Sequence, residues 1–151
     1  MSLLDRLQAD LKTAMRQRDQ LRRSVLRYLL SEVHNQEIAR QRPLSEEELL
    51  ALLSRQAQQR RDSIEAFQKG GRQDLVDKER SELEVILEYL PRQMSPQEIE
   101  EVARKVIQEV GAQGPQDMGR VMGRLMPQLR GKAEGRVVSQ VVTGLLRSLG
   151  G

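Results

Sequence analysis

The residues best equipped for chemistry are cations near the C-terminus: Arg120, Arg124, Arg130, Lys132 and Arg136, with Gly131 and Gly135 among them. Guanidinium and ammonium groups gathered at a turn neutralise phosphates and release their counterions. The glycines permit close backbone approach, and a helix starting there adds free amide donors that suit an anion. This group is expected to contact the phosphate backbone of RNA. The plainer reading is a solvated face that keeps a small domain soluble.

Groups for making bonds are scarce. The chain has no Cys and a single His, which removes thiolate catalysis, disulfides and cysteine–histidine metal clusters together. His34 is the one conventional general base. Set on the second helix beside Asn35 with no nucleophile to place next to it, it reads as a partly exposed helix residue, the alternative being a base or an RNA-stacking group. Neither a G-x-S-x-G elbow nor a Walker-type glycine loop is present. No cofactor, no metal and no autonomous catalysis are expected.

A second basic set, Arg16, Arg18, Arg22, Arg23 and Arg27, surrounds the first helical turn-around. Residues 1–31 hold seven Arg/Lys against three Asp/Glu, residues 46–90 seven against eleven, and residues 117–151 six against two. An acidic middle between two basic ends favours pairing of the first set with the third and fourth helices over pairing with RNA. With three aromatics in all (Tyr28, Phe67, Tyr89), a base-stacking platform is lacking, so any RNA contact should read shape and backbone.

The elements that hold these residues are helical. Leu4, Leu7, Leu11 and Met15 form one apolar stripe; Leu21, Val25, Leu29 and Val33 form a second. Asp19 is expected to cap the second helix. Ser45-Glu46-Glu47-Glu48 reads as a capping box opening a third helix that Gly70-Gly71 stops, and a fourth spans roughly Gln73 to Leu90 before Pro91. Ser95-Pro96-Gln97-Glu98 opens a fifth, and the domain boundary is expected here, giving domains 1–91 and 95–151. Asp117 is expected to cap a short sixth helix, a turn is expected from Pro127 to Gly131, and a 3, 4, 3, 4 spacing from Val137 to Leu149 makes the last segment helical. Gly119 and Gly123, four apart, are expected to let another helix pack closely, a backbone surface for RNA being the minority reading. The stripe Met118, Met122 and Met126 reads as core before it reads as a docking surface. No window approaches 18 uninterrupted apolar residues, the N-terminus lacks a signal peptide's apolar stretch, and the cytoplasm is the expected compartment.

Four segments carry a family resemblance. Arg61-Asp62-Ser63-Ile64-Glu65-Ala66-Phe67-Gln68-Lys69-Gly70-Gly71-Arg72-Gln73-Asp74-Leu75 resembles a long-helix-to-turn signature, and Glu82 to Ser95 (ELEVILEYLPRQMS) resembles the end of an N-terminal domain. Asp117-Met118-Gly119-Arg120-Val121-Met122 and Gly131-Lys132-Ala133-Glu134-Gly135 are similar to a motif pair of a C-terminal domain. Together, in order and over essentially the whole chain, they resemble the GatB/YqeY family. Where that family usually has Asp this chain has Glu134, a poorer helix cap.

The resemblance implies an all-α fold, a four-helix N-terminal domain followed by a three-helix C-terminal one similar to the tail of the B subunit of glutamine-dependent tRNA amidotransferase. That tail contributes to tRNA recognition while chemistry resides elsewhere. The first expectation is therefore a noncatalytic accessory module that binds tRNA through its basic C-terminal domain. Two alternatives stay open: a protein-interaction adaptor docking onto an amidotransferase or an aminoacyl-tRNA synthetase, and a component of a carbon–nitrogen ligase using glutamine as amido-N-donor.

Overall fold

Most helices of the chain begin at a short polar side chain. The computed structural model describes residues 1–150, and among these it contains seven α-helices, one turn of 3-10 helix and no strand. The all-helical expectation holds. Helix α1 (Leu3–Arg16) starts at a capping box in which the Ser2 hydroxyl accepts from the Asp5 amide and the Asp5 carboxylate accepts from the Ser2 amide. Asp19 caps α2 (Gln20–Arg40) by accepting from the Arg22 amide. Ser45 and Glu48 form the reciprocal pair at α3 (Glu46–Lys69), and Ser95 and Glu98, with Pro96 at the first position, do so at α5 (Pro96–Val110). Each such side chain satisfies an amide that no helical carbonyl can reach.

The chain divides into two compact units, Met1–Pro91 and Arg92–Gly151. The first holds α1, α2, α3 and α4 (Gln73–Leu87), whose apolar faces meet in one core around Leu7, Leu26, Leu29, Leu52, Leu53 and Ile86. Fully burying a leucine contributes about 1.5–3 kcal/mol, so these side chains dominate the stability of the unit. The fourth helix ends at Leu87, three residues before its expected limit. Pro91 disfavours helical backbone at residue 90, and Tyr89 and Leu90 instead turn into the core through 3-10-type bonds to Ile86 and Leu87.

Chain reversals use left-handed backbone. Between α1 and α2 the Asp19 amide donates to the Ala14 carbonyl at 2.9 Å and the Arg18 amide to the Met15 carbonyl at 3.3 Å, the paired bonds of a Schellman turn. The left-handed residue is Arg18, φ 56°. The same bond pattern closes α3, where glycine occupies that position as Gly71, φ 70°.

The second unit packs α5, α6 (Met118–Leu129) and α7 (Gly135–Gly150) around Ile99, Val106, Val121, Leu125, Val138 and Leu146. The 3-10 turn Pro115–Asp117 leads into α6. Asp117 does not cap that helix with its side chain. Its carboxylate turns back to accept from the Gln113 amide at 2.8 Å, bracing the preceding loop. Pro127 lies inside α6 rather than in a turn. Its ring nitrogen cannot donate to the carbonyl of Gly123, but Gly123 is exposed and water can take that bond.

Candidate nucleic-acid interface

The turn from α6 to α7 is fixed by its backbone. Leu129, buried, ends α6 and accepts from the Lys132 and Ala133 amides at 2.9 and 3.0 Å. Gly131 crosses into the left-handed region, φ 75°, where a side chain would strain the chain. Two donors from the segment before α5 then clamp the outside: the Met94 amide reaches the Lys132 carbonyl at 2.8 Å and the Gln93 side-chain amide reaches the Gly131 carbonyl at 2.8 Å. Ala133 drops into the core. What remains outside is the Lys132 side chain, flanked by exposed Arg130 and Arg136.

The seven residues expected at this site separate into two groups. Arg130, Gly131, Lys132, Gly135 and Arg136 share the turn and the first turn of α7. Arg120 and Arg124 do a different task. The Arg120 guanidinium donates to the Val110 carbonyl at 3.0 Å and lies 3.4 Å from Asp117, and Arg124 lies 3.4 Å from Glu109. Both arginines thus hold α6 to the C-terminal end of α5, where cations also suit the helix dipole.

Gly119 and Gly123 do not admit a packed helix. A methyl group built on either would meet nothing within 4 Å, and both are exposed, so the close-packing expectation is overturned. The methionine stripe is packing, as first read: Met118, Met122 and Met126 are partly buried against the core of the second unit.

The N-terminal basic set departs furthest from expectation. Only Arg22 pairs as foreseen, through two 2.6 Å hydrogen bonds to Glu88 at the end of α4; these hold the Glu88 carboxyl below its ordinary range. Several acidic side chains of α3 and α4 are engaged by other cations. Arg60 meets Glu79 at 3.1 Å and Glu82 at 2.7 Å, Asp74 pairs with Arg72, and Glu65 with Lys69. Arg16, Arg18, Arg23 and Arg27 are left without a hydrogen bond or ion pair from their side chains to any described residue. One signal in the sequence pointed to this: Arg23, Arg27 and His34 recur along one side of the helix, flanking the stripe of buried Val25, Leu26, Leu29 and Val33. His34 itself is exposed on α2, as expected. Among the described residues, no helix is long and apolar enough to cross a membrane.

Comparison with known proteins sets this architecture in a family. The family model described as Yqey-like protein matches residues 4–146. The chain belongs to the YqeY-like family. The match accords with the GatB/YqeY resemblance read from the motifs. Relatives of this YqeY-like chain include three fungal proteins, each named Altered inheritance of mitochondria protein 41, mitochondrial. That of Lachancea thermotolerans is 48% identical over 85 residues, covering 56% of this chain and 46% of its own. That of Eremothecium gossypii is 41% identical over 88 residues, 58% and 48%. That of Vanderwaltozyma polyspora is 37% identical over 107 residues, 69% and 58%. The chain spans about half the length of the curated relatives it matches. Their names overturn the cytoplasmic placement expected from composition, because each gives the protein as mitochondrial. Cysteine usage and the first residues of a chain do not carry an address by themselves.

Proposed function

We propose that this YqeY-like protein is a noncatalytic accessory module that binds tRNA through the α6–α7 turn, with Arg130, Lys132 and Arg136 meeting backbone phosphates. The observation that carries this reading is the doubly clamped turn. Its cations project from backbone held by Met94 and Gln93, so little ordering is needed on binding, and loss of ordering cost is a main source of affinity. The similarity to the amidotransferase tail supports the choice of tRNA. The noncatalytic half is supported by where the hydroxyls go: Ser2, Ser45 and Ser95 cap helices, and Ser81 and Ser148 donate to carbonyls of their own helices. None of these is paired with a base as a nucleophile must be.

The test is a titration of a tRNA transcript across salt concentrations. Affinity should fall linearly on logarithmic axes, and Arg130→Gln, Lys132→Gln and Arg136→Gln should each reduce the slope by about one. Arg120→Gln should leave the slope nearly unchanged. A wild-type protein that binds no tRNA at low salt overturns the reading. Ammonia release from glutamine, measured with tRNA and ATP, is expected to stay at background; sustained release would return the ligase alternative.

A further inference from the structure

Four arginines with no partner among the described residues stand at one end of the first unit. Arg16 closes α1, Arg18 occupies the left-handed position of the turn, and Arg23 and Arg27 lie one helical turn apart on α2. Arg16, Arg18 and Arg27 are exposed and Arg23 is half-buried. From Gln20 to Arg40 none of the exposed residues of α2 is acidic; Glu32 is half-buried, and Glu37 is engaged by the Leu44 amide at 3.0 Å. Asp19 is occupied as a helix cap beside Arg22. The exposed polar residues of α2 include Gln20, Ser24, Ser31 and Asn35, groups of the kind that supplement arginine at phosphate oxygens.

From this juxtaposition we propose that the α1–α2 turn and the outer face of α2 form a second phosphate-binding surface for RNA, centred on Arg16, Arg18, Arg23 and Arg27. It extends the tRNA-binding reading and rests on it for the identity of the polyanion. Uncompensated like charges at this density repel one another, and a surface so arranged is stabilised by an anion that the protein itself does not supply. A chain of phosphates satisfies all four guanidinium groups at once. An acidic protein partner fits less well, because a protein interface centres on a desolvated apolar patch. Of the exposed apolar residues of α2, Leu21 and Tyr28 lie on another side of the helix from Arg23 and Arg27, and Ile38 shares their side but stands about three helical turns beyond Arg27.

The experiment uses the full chain and the same tRNA transcript. Substituting Arg16, Arg18, Arg23 and Arg27 together by Gln should lower the salt slope by about three and weaken binding roughly tenfold at moderate salt. Replacing Arg23 and Arg27 by Lys should restore most of the slope, which a merely structural role would not do. Combined with the C-terminal Gln substitutions, the two slope losses should add. An unchanged slope in the fourfold variant, alongside a reduced slope in the C-terminal variants, overturns this surface and spares the α6–α7 site. The reverse pattern overturns the α6–α7 site and supports this one. Loss of a protein partner that survives ribonuclease, with tRNA binding intact, also overturns it.

Discussion

Tyr89 lies past the end of α4, buried in the first core, with its hydroxyl donating to Asp10 on α1 and the Arg6 guanidinium 5.2 Å from its ring centre. Burial first, and then the Asp10 carboxylate, push the phenol above its ordinary value near 10. A raised folded-state value means the fold favours the neutral phenol. Its stabilisation is complete below about pH 10 and is lost as pH rises through the folded value. Tyr89→Phe should therefore cost about 1–2 kcal/mol in urea denaturation at neutral pH, from the lost hydrogen bond to a charged group. The variant should also lose the part of the alkaline destabilisation that belongs to this residue. Such an anchor is not legible in sequence, because Tyr89 and Asp10 meet across 79 residues and periodicity gives no partner across that distance. The same reason hid the fate of the arginines. Spacing placed Arg22 and Arg23 side by side, and only folding shows that one reaches Glu88 while the other does not.

At the scale of the helix, the glycines of α6 and α7 give a direct test. Glycine within a helix costs roughly 0.5–1 kcal/mol relative to alanine. Since a Cβ at Gly123 or Gly144 meets nothing within 4 Å, Gly123→Ala and Gly144→Ala should each stabilise the protein by about that amount in thermal or urea unfolding; a loss of stability would show that these positions are closely packed after all. The start of α5 tests the caps. Hydrogen bonds from Arg92, and then from the Ser95 backbone, lower the Glu98 carboxyl to about 2 from an ordinary 4.5. A depressed value means stability present above about pH 4.5 that is lost as pH falls toward 2. Glu98→Gln should flatten that acid limb, followed by circular dichroism, and Ser95→Ala should cost about 1 kcal/mol at neutral pH. Helix starts were the most legible feature of the chain, since Asp19, Ser45 and Ser95 act through bonds within four residues. The Ser2 box escaped because Asp5, a shorter acid than the usual Glu, completes it. Pro127 misled because its helix-breaking tendency is real but is accommodated where the carbonyl it orphans is exposed.

Across the whole molecule, the two units have separate cores: the residues of the first cluster run from Leu3 to Leu90, those of the second from Ile99 to Leu146. Residues 92–151 expressed alone should fold into a helical, cooperatively melting domain, a size at which single cores are marginal but sufficient; a disordered spectrum would count against an independent second core. The all-helical class was readable from apolar spacing alone. The division of the arginines into structural and unpaired ones was not, since it depends on which carboxylates each unit has already engaged. The Schellman turn at Arg18 carries one further consequence. A left-handed backbone costs a non-glycine residue about 1–2 kcal/mol, and this chain accepts an arginine where its own third helix uses glycine. Breeding the protein for heat resistance alone should therefore drift Arg18 toward glycine, while breeding it for retention on immobilised tRNA should hold the arginine in place, so that the two regimes part company at a single codon.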